Sequence, residues 1–443
     1  MALNFSDSDK AKYMTGQYRK EIKLYFPQLN LTVLNDQIYE ESLSLEEAIF
    51  DGNGALSVIG CISNRFSIEI RNQGVQLKNK TIQVSIKIDN GSWNRIFTGY
   101  VESAPKTRDK SYQKLQCFDM LHKYEAKNVF STYNGLTFPC KIKTLRDAIF
   151  NAIGISQQSI SLENDDEYVN KTVEDGELAA IDVIRAVCEG NGVFGKINAD
   201  GTFKYLDLTI SQDVLPYPDG FYPDEAYPVS AEGEANYIDK YYDGTLLFED
   251  YEVATITGVT VRDGTSDTSY GQYGSTGNML LIEGNMLFQG LNQTAKNRIA
   301  QKIFNKVQYI TYKPFEVQTP GLPYIECADA ISIYVYDYSS GEPVTDIMSF
   351  SVMARYLKGI QWLTDQFKAT GDEYQPEVQP VSYEDDASQD IDRIENEISG
   401  IDTRINGMSD DITNLQNLIT YGTSDMTPGS SSLTTGHVYL MYE

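Results

Sequence analysis

From Ile391 to Ile419 apolar residues recur at alternating spacings of three and four, and nothing else in this 443-residue chain constrains the fold as tightly. With Ile391 at position a, the a sites are Ile391, Ile398, Ile405, Ile412 and Ile419, and the d sites are Ile394, Ile401, Met408 and Leu415. A seam this narrow needs partner helices, and isoleucine at both a and d disfavours two strands, so the pattern predicts a parallel, trimeric coiled coil. Its reach is about 43 Å at ~1.5 Å per residue. In a parallel coil the flanking pairs Asp390–Glu395 and Glu397–Asp402 repel, while Arg404 meets only Ser409. The segment before it, 372–390, holds seven acidic and no basic side chains together with Pro376 and Pro380. That composition reads as an extended acidic linker. Residues 420–443 remain as a short C-terminal tip whose HVYLMYE run reads as one strand in need of a partner, within the trimer or outside it.

Upstream of the coil the periodicity is mostly two. RFSIEIRN alternates Phe66, Ile68 and Ile70 against Ser67, Glu69 and Arg71, and Asn90-Gly91 between QVSIKID and SWNRIFTGYV predicts a type I′ hairpin. Residues 1–125 are therefore expected to form a first small β-barrel. At 126–232 the period changes to that of a helix in TLRDAIFNAIG, with Thr144 as N-cap and Gly154 as stop, and again in ELAAIDVIRAVCEGNG. A hairpin turning at Asp200-Gly201 and a loop holding Pro216, Pro218, Pro223 and Pro228 complete an α/β insert. Residues 233–371 return to strands around one helix, Thr294–Val307, and are expected to form a second barrel. The fold class expected is thus β-rich α+β: two small barrels with an α/β insert, then the coil and tip.

Charge excludes whole classes of function. With 63 acidic and 36 basic residues the chain carries −27, the wrong sign for a specific nucleic-acid binder. The five cysteines, Cys61, Cys117, Cys140, Cys188 and Cys327, form no CxxC pair and read as buried free thiols made in a reducing compartment. The opening MALNFSDSDK lacks a signal-peptide core and no run of 18 apolar residues occurs, so assembly in a cytoplasm without a membrane segment is expected. In RDGTSDTS, after Val261, the carboxylates resemble a calcium loop but lack the terminal Glu, and a solvated turn is expected.

Four stretches resemble the tail hub, or baseplate hub, proteins of tailed bacteriophages. They are LAAIDVIRAVCEGNGVFGKINADGTFKYLDL, then GNMLLIEGNMLF with the helix AKNRIAQKIF, then YKPFEVQTPGLPYIECADAISI, and last YLKGIQWLTDQFKATGD. In the third, Gly321, Pro323 and Asp329 match the family's turn, whereas Ala328 stands where glycine is usual. The resemblance implies a homotrimer whose six barrels form a ring that joins a sixfold tail tube to a threefold tip and forms the closed end of the DNA conduit. It also implies a ring of distal tail protein and the tape-measure protein as partners, and a place in the virion at the distal tail tip. A receptor-binding tip that contacts the host surface is the alternative.

An enzyme is not expected. The chain has two histidines, His122 and His437, and no GxSxG, HExxH or Walker sequence. Only 24 residues follow the coil, too few for a catalytic domain. No catalytic residue, metal or cofactor is assigned.

Overall fold

The computed structural model describes residues 5–15, 17–49, 60–174, 176–208, 236–238, 240–264, 267–337, 344–375, 419–422 and 438–441. The chain divides into two compact units, Met1–Pro380 and Val381–Glu443.

The larger unit is β-rich with few helices. Its spine is one antiparallel sheet of eleven strands, in the order Leu247–Phe248, Phe315–Pro320, Thr364–Ala369, Ala354–Lys358, Ser44–Ala48, Arg65–Arg71, Tyr112–Phe118, Asn94–Ser103, Thr81–Ile88, Lys20–Phe26 and Leu31–Leu34. The alternation read from RFSIEIR is realised, with Phe66, Ile68 and Ile70 buried. The two closed barrels expected at 1–125 and 233–371 are not formed by these strands. Closure requires a sheet's first and last strands to meet, and here the free side of Ser44–Ala48 is taken by Ala354–Lys358, with Ala48 opposite Ala354. The N- and C-terminal halves therefore continue one another as a single open sheet.

The insert packs two helices, Ile142–Ile153 and Ala180–Glu189, against the hairpin Phe194–Ile197/Phe203–Leu206. Gly154 ends the first helix at φ +72, the left-handed conformation that stop requires. That helix begins earlier than its expected Thr144 cap because Ile142 is itself buried and extends the apolar line. A short parallel strand, Gly60–Cys61, adds to the hairpin. Beyond the insert, Gly258–Arg262, Gly271–Gly274 and Met279–Glu283 form a small sheet beneath the helix Gln293–Val307.

One turn departs from its sequence reading. Asn90-Gly91 does not make a two-residue type I′ turn; the left-handed residue is Asp89, at φ +50. Gly91 is needed for space instead, since a Cβ there would lie 2.8 Å from Asp9 Oδ1. At Ala328 the backbone takes a left-handed conformation that favours glycine, at φ +73. An L-residue there strains against its own Cβ. Ala328→Gly is therefore expected to stabilise the protein by about 1 kcal/mol, read as a higher urea midpoint at unchanged slope.

In the smaller unit the described residues are two strands, Ile419–Gly422 and Val438–Met441, paired in parallel with Ile419 opposite Val438. The C-terminal strand thus finds its partner within the same chain.

Candidate assembly surface

The junction of the two halves is built around one buried cation. Arg355, on Ala354–Lys358, donates to Asp365 from Nε at 3.1 Å and Nη2 at 2.8 Å, and to the carbonyls of Leu322 and Ile325. Its Nη1 lies 3.5 Å from Glu47 of the N-terminal half, whose other oxygen takes a bond from Lys196 of the insert at 3.2 Å. Three distant stretches of chain therefore share one ion network with almost no water around it. Burial pushes Asp365 up to about 6 even with the guanidinium beside it.

A second internal cation answers the apparent calcium loop. Lys296, fully buried on Gln293–Val307, places Nζ 2.6 Å from Asp267 and 2.8 Å from Asp263. The ammonium occupies the centre that a metal would need, and these bonds hold Asp267 well below its ordinary range. The two carboxylates are thus bridged by a lysine, while Thr268 and Ser269 on the same turn are exposed as expected. Among the described residues no group of three His, Cys, Asp or Glu is placed to hold a metal ion, and all five cysteines are buried and free.

Among the described residues, neither end of the large sheet has a further strand paired to it. The outer side of Leu31–Leu34 has no backbone partner among the described residues, and Leu34 is 43% exposed. At the opposite end Leu247 is 65% and Phe248 40% exposed on a two-residue strand. Open, unlike edges in one sheet are templates for pairing with another chain. Another outward group is Trp362, 77% exposed on the turn between Ala354–Lys358 and Thr364–Ala369. The Glu41 carboxylate accepts the backbone N–H groups of Ile360, Gln361 and Trp362 at 2.7, 3.0 and 3.2 Å. The indole is thus presented on a fixed support, as suits an interface aromatic.

Sequence reasoning assigned the assembly to the coil. Ile391, Ile394, Ile398, Ile401, Ile405, Met408, Ile412 and Leu415 lie outside the described residues, as does His437. Ile419, expected as the last a position of the helix, is the first residue of a strand. The sheet edges and Trp362 were missed; the signal available for one of them was the apolar run TLLF set among Asp and Glu.

His122 is a packing residue, stacked on Phe118 at 4.1 Å with Nδ1 3.2 Å from Glu125. Next to it, Asp119 caps the helix Met120–Tyr124 while fully buried, accepting from Asn64 N at 2.7 Å and Leu121 N at 2.9 Å. Desolvation outweighs these bonds and pushes Asp119 up to about 7. The Glu125 hydrogen bond raises His122 as well. Both folded-state values lie above the unfolded ones, so both favour the fold at low pH and lose that contribution as pH rises through the folded values. Between pH ~4 and pH ~7 stability should fall, by up to about 1.4 kcal/mol per pH unit from Asp119 alone. Asp119→Asn should flatten this slope in urea titrations while costing about 1 kcal/mol at pH 5 through the weakened cap.

No family model and no curated protein matches the sequence. Among solved structures, the chain is similar to a tail protein from Neisseria meningitidis at 11% identity, covering 80% of this chain and 97% of that one with a TM-score of 0.46. It is similar to the 43 kDa tail protein of prophage MuSo2 from Shewanella oneidensis at 10% identity, 80% and 97% coverage and a TM-score of 0.45. Prophage tail protein gp18 from Listeria monocytogenes matches at 11% identity, 79% and 94% coverage and a TM-score of 0.43.

Proposed function

We propose that this chain is a structural component of a phage tail, a homotrimeric hub at the distal end that joins the sixfold tube to a threefold tip. The observation that carries the reading is the single eleven-stranded sheet with two unlike open edges. A contact between unlike patches repeats head to tail, and where the rotation closes it makes a ring. The apolar seam from Ile391 to Leu415 favours three as the number of chains. The four family stretches supply the setting: the distal tail protein above, the tape-measure protein in the lumen and DNA passing at ejection. A charge of −27 per chain suits a conduit that DNA must cross without sticking. No catalytic step is part of this role.

The repelling pairs along the coil make its strength dependent on screening. A peptide spanning 391–419 is expected to be weakly helical at neutral pH and low salt, and to gain helicity when salt is added or the carboxylates are protonated. Circular dichroism across both variables tests this, and helicity that falls with salt contradicts it. The adhesin alternative is favoured by the exposed, rigidly held Trp362. It predicts that purified protein binds host cells and that Trp362→Ala abolishes the binding.

A further inference from the structure

On the outward face beside the Leu31–Leu34 edge, cations are gathered around one indole. Lys23 and Lys87 place Nζ 4.7 and 5.0 Å from the centre of the Trp93 ring. The register sets Leu34, Lys23, Ser85 and Arg95 in one row across four strands, with Lys87 opposite Glu21 in the next. Glu21 lies 3.4 Å from Lys87 and 3.6 Å from Arg19, and Asp89, just past the end of the strand that carries Lys87, is 4.0 Å from Lys12. Lys23 makes no ion pair with any described carboxylate, and Arg95 reaches only the neutral Gln83, at 2.8 Å. Lys23 is pushed below the ordinary lysine range by its desolvation and then by Arg95 and Lys87. In a chain of net −27 this is a locally positive row without its counter-charge.

The opposite edge has the complementary character. Leu247 and Phe248 are flanked by Asp243, Glu249, Asp250 and Glu252, all exposed and none in an ion pair with a described residue. Glu249, Asp250, Asp372 and Glu373 all act on the Tyr251 phenol, so these charges share one neighbourhood. One edge therefore offers Leu34 and a positive row; the other offers the exposed Leu247 and Phe248 and four exposed carboxylates beside a neighbouring cation, Lys313, whose Nζ lies 5.7 Å from the Phe248 ring centre and donates to the Glu249 carbonyl.

We infer that the Leu31–Leu34 edge with Lys23, Lys87 and Arg95 receives the Leu247–Phe248 edge with Glu249 and Asp250 of a second copy of this chain. This rests on the hub reading and names the surface through which its ring closes. Main-chain pairing extends the sheet from one copy into the next, the apolar residues at the two edges come together, and the ion pairs fix which edge meets which. The ammonium groups over the indole leave it poorly suited to stacking a nucleic-acid base, which favours a protein carboxylate as the counter-charge.

Charge reversal of each edge in the full chain tests the inference. Lys23→Glu with Arg95→Glu, or Glu249→Lys with Asp250→Lys, should each weaken self-association at least hundredfold by analytical ultracentrifugation, because like charges then face one another. The chain carrying all four substitutions should return to within about tenfold of the wild type, which a mere folding defect would not allow. Doubles that associate as the wild type does, or a quadruple variant no better than the doubles, overturn the inference and leave the hub reading standing. A wild-type monomer overturns both. Saturable binding of double-stranded DNA that Lys23→Glu with Arg95→Glu abolishes, without change in association, assigns the row to phosphates and overturns the inference as well.

Discussion

Replacing Arg355 by Met should destabilise the protein by about 3–5 kcal/mol, because it leaves Asp365 buried without its cation and Glu47 with Lys196 alone. Much of that loss is the penalty on the abandoned carboxylates rather than the worth of the ion pair, and two further results follow. Asp365 already sits as high as about 6 with the guanidinium present, and higher without it. The deficit of Arg355→Met should therefore be larger at pH 8, where the carboxylate must be ionised or take up a proton, than at pH 5. Adding Asp365→Asn to Arg355→Met should recover part of the loss at pH 8 and less of it at pH 5. Urea unfolding at fixed protein concentration reads all three. An equal deficit at both pH values would mean that lost packing of the long side chain, not charge, is responsible.

Lys296→Met is the second large effect, about 2–4 kcal/mol, since the methionine stem fills the buried space but leaves Asp263 and Asp267 facing one another unneutralised. The helix Gln293–Val307 packs closely on the small sheet: a Cβ at Gly271 would lie 2.3 Å from the Lys296 backbone. Loosening the 263–269 turn should therefore be felt along the helix. Hydrogen exchange should show protection lost first in 258–274 and 293–307, before the eleven-stranded sheet. Asp267→Asn in the same chain should restore part of the stability, because it removes one of the two abandoned charges while the amide oxygen still accepts from Ser269 N, at the cost of the bond that Asp263 N makes to the other carboxylate oxygen. Uniform loss of protection across the large sheet would contradict this local account.

These two residues show where the sequence stops being legible. Local order was readable: the strand Arg65–Arg71 from alternation, the helices from three-and-four spacing, and the stop at Gly154. Arg355 and Lys296 were not, because a buried cation looks like any surface cation until its partner is known. Glu47 is 308 positions from Arg355, and no local pattern encodes that pairing. The same distance hid the architecture. Ser44–Ala48 reads as a strand of a first domain, and only its register with Ala354–Lys358 turns two expected barrels into one open sheet. Ile419 continues the apolar spacing of the seam, yet it is β-branched and precedes TYG, and in the structure it opens a strand. Nothing of the proposed assembly surface was legible beyond an acidic composition, because only strand register brings Lys23, Lys87 and Arg95 together beside one edge.

The central claim is that this chain works as a closed ring of three. Light scattering of the purified full-length protein at micromolar concentration tests it most directly. Three chains of 49.8 kDa predict about 149 kDa, with threefold rings in electron micrographs of the same sample. A stable mass of 49.8 kDa with no ring would contradict it.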